Sequence, residues 1–141
     1  MCLTRNNLNM NTTPIIYIID DDLEDQDFLI EAIKAIDLSI RCYTAMNGQE
    51  GLNILEANAV PFPSLIFLDL NMPRIDGRKF LKAIKRHPEF NTIPVIVYTT
   101  SDNENDRHEV MDLGATDYLV KQSDFSSLKA SLATVISYTE W

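Results

Sequence analysis

Cysteine is almost missing from this chain: Cys2 and Cys42 are its only two. They lie far apart and without CxxC or Cys/His spacing, which excludes a disulfide framework and a thiolate zinc site and leaves both as plain reduced thiols. Histidine is as scarce. His87 precedes a proline and His108 sits in a polar stretch, so both read as surface residues without a ligand or phosphocarrier role. The four glycines form no P-loop or dinucleotide fingerprint, and ATP binding is not indicated. Basic residues are outnumbered, 12 Lys and Arg against 21 Asp and Glu, giving a formal net charge of −9 at pH 7. A phosphate backbone would have to bind against that field, which argues against a nucleic-acid partner. Long apolar runs are absent too. Those around Ile15 to Ile19 and Leu65 to Leu68 fall far short of the roughly 18 residues that span a bilayer. Residues 1–13 are polar with no signal-peptide core, so no membrane insertion is expected and cytoplasm is the expected location.

What is present is the composition of one globular domain: 141 residues, 45% apolar and 23% charged. Short β-branched runs alternate with stretches of helical period, the mark of repeated βα units around a parallel sheet. Strand one, Ile15 to Ile19, is continuously apolar, as for a strand buried on both faces. A helix from about Glu24 to Ile36 follows, with Asp22 as N-cap and Phe28, Leu29, Ala32, Ile33 and Ile36 on one face. Strand two, about Ile40 to Ala45, alternates like a half-covered edge, and Asn47-Gly48 leads to a helix from about Gln49 to Ala57 that turns Leu52 and Leu55 inward. Strand three is Leu65 to Leu68. Its helix begins after Asp76-Gly77, points Phe80, Leu81 and Ile84 inward and ends near His87-Pro88. Strand four is Val95 to Tyr98, followed by an acidic helix from about Asn103 to Leu113 that stops at Gly114. Strand five, Tyr118 to Val120, precedes a last helix over about Phe125 to Tyr138.

The chemistry-bearing residues share one kind of position. Asp20 and Asp21 follow strand one, Asp69 strand three, Thr99 strand four and Lys121 strand five. In an open parallel sheet ligands bind beyond the carboxyl ends of the strands, where strand order reverses, so these residues should converge. Three carboxylates in one crevice repel unless a cation balances them. All-oxygen donors favour a hard ion, Mg²⁺ or Mn²⁺, over zinc, and Mg²⁺ commonly joins one or two carboxylates to a phosphate. A carboxylate can also be the nucleophile of phosphoryl transfer, and Asp69 is the best placed. A metal, an ammonium and a hydroxyl around it, the last two from Lys121 and Thr99, would stabilise the charge on the transferring group. Asp22, Glu24, Asp25 and Asp27 read instead as helix-start charges suited to the positive dipole end.

These residues resemble the receiver domains of two-component response regulators, over nearly the whole span from Ile15 to Ile136. The matching pieces are Ile18-Ile19-Asp20-Asp21-Asp22, Leu68-Asp69-Leu70-Asn71-Met72-Pro73 with Asp76-Gly77, Ile93-Pro94-Val95-Ile96 leading to Thr99, and Gly114-Ala115 leading to Tyr118 and Lys121. The resemblance implies a flavodoxin-like (βα)5 fold, doubly wound, with a five-stranded parallel sheet of order 2-1-3-4-5 and helices on both faces. The expected organisation is a loose tail over 1–13, a receiver domain over 14–138 and a short end at 139–141, with no output domain expected behind it. Asp69 would be the phosphoacceptor. Asp21, Asp69 and the main-chain carbonyl of Asn71 would hold the metal directly and Asp20 through water. Thr99 and Lys121 would grip the phosphoryl oxygens, and Tyr118 would swing inward as Thr99 is drawn to the phosphate.

The function implied is that of a single-domain response regulator, a signalling domain limited to self-catalysed phosphoryl transfer and slow autodephosphorylation. A sensor histidine kinase or histidine phosphotransfer protein would supply the phosphoryl group. The modified domain would then engage a downstream target protein, and a homodimer is compatible with this. The contact face would be the fourth helix, fifth strand and fifth helix, whose Glu104, Asp106, Glu109 and Asp112 beside Arg107 and Lys129 suit a partly basic partner. The alternative is an independent Mg²⁺-dependent aspartyl-phosphate phosphatase. Against it, the position two beyond Asp69 is the neutral Asn71 where a second acid–base group would be needed. One departure from the family stands out: Gln122 follows Lys121 where the family usually has proline after a cis bond. A cis bond before an ordinary residue costs roughly 2.5–4 kcal/mol, so a trans Lys121-Gln122 bond is expected.

Overall fold

Continuous runs of Ile, Val, Leu and Phe make strands whose two faces are both apolar, and such strands are stable only with helices packed on each side. The structure, a computed structural model, describes residues 14–72 and 76–139. The expected tail over 1–13 with Cys2, the motif residue Pro73, residues 140–141 and the side chain of Tyr138 lie outside the described residues. Five parallel strands, β1 (Ile15–Ile19), β2 (Arg41–Ala45), β3 (Leu65–Leu68), β4 (Val95–Thr99) and β5 (Asp117–Val120), form one sheet of order β2-β1-β3-β4-β5. The helices among the described residues are α1 (Leu23–Ile36), α2 (Gly48–Glu56), α3 (Gly77–Arg86), α4 (Glu104–Asp112) and α5 (Phe125–Tyr138). The order expected from the sequence is the order observed, and the reversal falls between β1 and β3.

Alternation along the strands feeds two cores. Ile15, Tyr17 and Ile19 of β1 pack with Leu55 of α2, Phe80, Leu81 and Ile84 of α3 and Val110 of α4. Ile16 and Ile18 face the other way, onto Leu29 and Ile33 of α1 and Leu128 and Leu132 of α5. Each such fully buried side chain contributes roughly 1.5–3 kcal/mol relative to exposure. Every helix starts on an Asp or Asn cap: Asp22, Asn47, Asp76, Asn103 and Asp124 each accept a hydrogen bond from a first-turn amide. Gly114, beyond the end of α4, has φ +109°, a conformation that favours glycine.

Two local expectations shift. Leu52 packs against the first core but is only half-buried, and α2 comes close to the sheet at Gly51, where an added Cβ would lie 2.8 Å from Ile19 Cδ1. Thr99 is the last residue of β4 rather than the first beyond it, which fixes its side chain by strand geometry. Among the described residues no helix is long and apolar enough to cross a membrane.

Candidate functional site

The end of β1 is pinned before any site chemistry begins. The Asp20 amide donates to the Ala45 carbonyl at 3.1 Å, and the Asp20 carbonyl accepts from the buried Gln26 Nε2 at 2.7 Å. Asp20 Oδ1 accepts from the Asp22 amide at 3.0 Å, so the acidic run turns sharply into α1. The end of β3 is pinned likewise, with the Asp69 amide donating to the Ile19 carbonyl at 3.0 Å. Gly77 presses against the same loop: a Cβ there would lie 2.4 Å from the Asp69 carbonyl oxygen and 2.8 Å from Leu70 Cα. Only a residue without a side chain allows that approach.

These constraints bring Asp20, Asp21 and Asp69 together. One carboxylate oxygen of each lies within 4.8 Å of the others. Asp20 is 2% and Asp69 6% exposed, whereas Asp21 faces solvent. The set is all oxygen, partly buried and open on one side, which fits a hard divalent cation that keeps some of its waters. The Asn71 amide donates to Asp69 Oδ1 at 3.4 Å, bringing its backbone to the rim.

Lys121 enters from β5. Its amide donates to the Thr99 carbonyl at 2.7 Å. Its ammonium donates to Asp20 Oδ2 at 2.8 Å and Asp25 Oδ2 at 2.7 Å, and lies 3.7 Å from Asp69 Oδ2. The Lys121-Gln122 bond is trans, as expected, since no cis peptide occurs among the described residues. Burial pushes the Asp69 carboxyl from 3.8 up to about 6, against the pull of Lys121 and with added repulsion from Asp20. Burial also raises Asp20, although its hydrogen bond to Lys121 opposes this. Burial alone would lower Lys121, but the hydrogen bonds to Asp20 and Asp25 outweigh it and hold the ammonium above its ordinary value. One lysine does not compensate two buried carboxylates and their neighbours Asp21 and Asp25, and the crevice retains an excess of negative charge.

Thr99 is fully buried and its Oγ1 accepts from the Ser101 amide at 3.4 Å. Tyr118 lies inward in this structure, 6% exposed, and its hydroxyl donates to the Ser101 carbonyl at 2.7 Å. The Arg107 guanidinium caps its ring at 5.5 Å. Burial of the ring, that hydrogen bond and the cation over its face all favour this rotamer. Ser101 Oγ also donates to Asp106 Oδ2 at 2.6 Å, and Asp106 Oδ1 pairs with Arg78 at 2.8 Å.

Sequence reasoning missed three participants. Asp25 read as a helix-start charge, yet it is a direct partner of Lys121. Gln26 had a usable signal, because it occupies an inward position three before Leu29 and seven before Ile33, where a polar residue needs a partner. Arg78 gave none. It spans from α3 to α4, pairing with Asp106 and Glu109, so two of the four acids expected to present negative charge on the α4 face are already compensated.

A family model described as the response regulator receiver domain matches residues 16–133. The response regulator Rcp1 of Synechocystis sp. is 32% identical over 122 residues, 84% of this chain and 83% of that protein. The sensor histidine kinase CheAY of Helicobacter pylori is 32% identical over 107 residues, covering 76% of this chain but 13% of the kinase. Among solved structures, the phosphorylated cyanobacterial phytochrome response regulator RcpA aligns with a TM-score of 0.82 at 32% identity, over 91% of this chain and 94% of that one. The Mn²⁺-bound form of Rcp1 aligns with a TM-score of 0.78 at 31% identity, over 89% and 93%. None of these named relatives is a phosphatase, the alternative raised by the sequence.

Proposed function

The chain belongs to the response regulator receiver domain family, and from that premise we propose that Asp69 is the side chain on which it accepts a phosphoryl group. The observation that carries this is the convergence of Asp20, Asp21, Asp69 and Lys121 at the point where strand order reverses. A carboxylate near pH 6 in its titration is mostly ionised at neutral pH, so Asp69 is available as a nucleophile there. An Asp69 oxygen forms the new P–O bond as the P–N bond of a donor phosphohistidine breaks, its electron pair returning to the imidazole nitrogen. The Lys121 ammonium and the Thr99 hydroxyl donate hydrogen bonds to the phosphoryl oxygens, the ammonium adding its charge.

Asp21, Asp69 and the Asn71 carbonyl are the proposed direct ligands of a divalent metal, with Asp20 held through water. The ion is Mg²⁺, with Mn²⁺ as a competent substitute, and when bound it neutralises charge shared by the carboxylates and the phosphoryl oxygens. The donor is a sensor histidine kinase or a histidine phosphotransfer protein, and the readout is contact with a downstream protein in the cytoplasm. Thr99 and Tyr118, joined through Ser101, are the proposed path from the acceptor to the α4 and β5 surface. Incubation with acetyl phosphate and Mg²⁺, followed by mass mapping, should add one phosphoryl group at Asp69 and none in Asp69→Asn. Labelling of that variant, or of His87 or His108, would overturn the assignment.

A further inference from the structure

Two cations have claims on the same carboxylates. Lys121 Nζ lies 2.8 Å from Asp20 Oδ2 and 3.7 Å from Asp69 Oδ2, and both acids belong to the group that can hold a metal. A divalent ion and an ammonium repel each other strongly in a buried crevice, so each weakens the other's hold unless the ammonium has an anchor of its own. Of the three carboxylates around Lys121, Asp25 is the one outside the metal-capable group. Its Oδ2 accepts from the ammonium at 2.7 Å. Its side chain is 37% exposed, so it carries this charge with little desolvation. Its position is fixed, because its amide is held by the capping carboxylate of Asp22 at 3.1 Å in the first turn of α1. The ammonium also lies 5.5 Å from the centre of the Tyr98 ring, a cation–π contact outside the metal-capable group.

Building on the proposed function, we infer that Asp25 is a positioning residue: it anchors Lys121 at the rim, so that ammonium and divalent ion occupy the crevice together. Asp25 touches neither the metal nor the phosphoryl group and acts only through Lys121.

The test is calorimetric titration with Mn²⁺ alone, without phosphoryl donor. Asp25→Asn should bind the ion about tenfold more weakly than the native protein, while in a Lys121→Met background the same change should cost about threefold or less, a coupling that purely additive effects would not give. Asp27→Asn removes an equal charge from the same helix at an exposed site away from Lys121 and should stay within about twofold, since a distant surface charge is screened. Asp25→Glu should restore most of the affinity. Equal weakening by Asp25→Asn with and without Lys121, or an effect no larger than that of Asp27→Asn, would overturn the inference and leave the proposed function standing. Failure of the native protein to bind Mn²⁺ at all would overturn both.

Discussion

Asp69→Asn should stabilise the metal-free fold while it abolishes phosphoryl acceptance. Burial lifts the Asp69 carboxyl from 3.8 to about 6, so between those values the folded protein holds a proton that the unfolded chain has released. Stability therefore falls as pH rises through this window, is fully lowered above about pH 6 and is unaffected below about pH 4. A displacement of about two pH units corresponds to about 3 kcal/mol. Water reaching the crevice from the side of Asp21 screens part of this, leaving about 1–2 kcal/mol. Asparagine keeps the shape and removes the charge. Urea unfolding in chelator should show the variant more stable by that amount near neutral pH, with the gain vanishing as pH approaches about 4. Saturating divalent ion should reverse the order, because the native protein gains about 2.7 kcal/mol at a hundredfold excess over its dissociation constant. Equal or lower stability of the variant at neutral pH in chelator, or a gain that ignores pH, would refute the electrostatic account.

Gly77→Ala would place a methyl group 2.4 Å from the Asp69 carbonyl oxygen, and because that obstacle is backbone, it should cost about 1–3 kcal/mol in the urea midpoint. An unchanged midpoint would show that the loop yields freely. Tyr118→Phe removes the 2.7 Å hydrogen bond to the Ser101 carbonyl and should cost about 0.5–1.5 kcal/mol, with faster amide exchange around Ser101. Unaltered exchange there would mean that the hydroxyl does not hold the loop.

Much of this was legible in the sequence because it is written in local patterns. The apolar strands, the cap at Asp22, the helix start at Asp76-Gly77 and the stop at Gly114 are each signalled within a few positions. The convergence of Asp20, Asp69 and Lys121 needed only strand order in addition. Lys121 meets Asp25 across 96 residues and Arg78 meets Asp106 across 28, and no periodicity links such pairs. Exposed acids in a first helical turn have a sufficient local explanation in the helix dipole, and that explanation concealed the second role of Asp25. The inward setting of Tyr118 depends on Ser101 and Arg107, which are fixed by loop and helix placement and carry no local signature.

Three consecutive aspartates close β1, and as chemistry they are interchangeable; what distinguishes them is parity. Ile15, Tyr17 and Ile19 belong to one core and Ile16 and Ile18 to the other, so sliding β1 by one residue would turn every side chain onto the wrong face. The large apolar residues thus decide that Asp20 is the carboxylate tucked beside Lys121 and that Asp21 is the one left facing water. A single-residue deletion within β1 would slide Asp21 and Asp22 into the places of Asp20 and Asp21, keeping an aspartate at each, and would still ruin the crevice, because the frame in which those acids are read is set by the apolar residues of the strand.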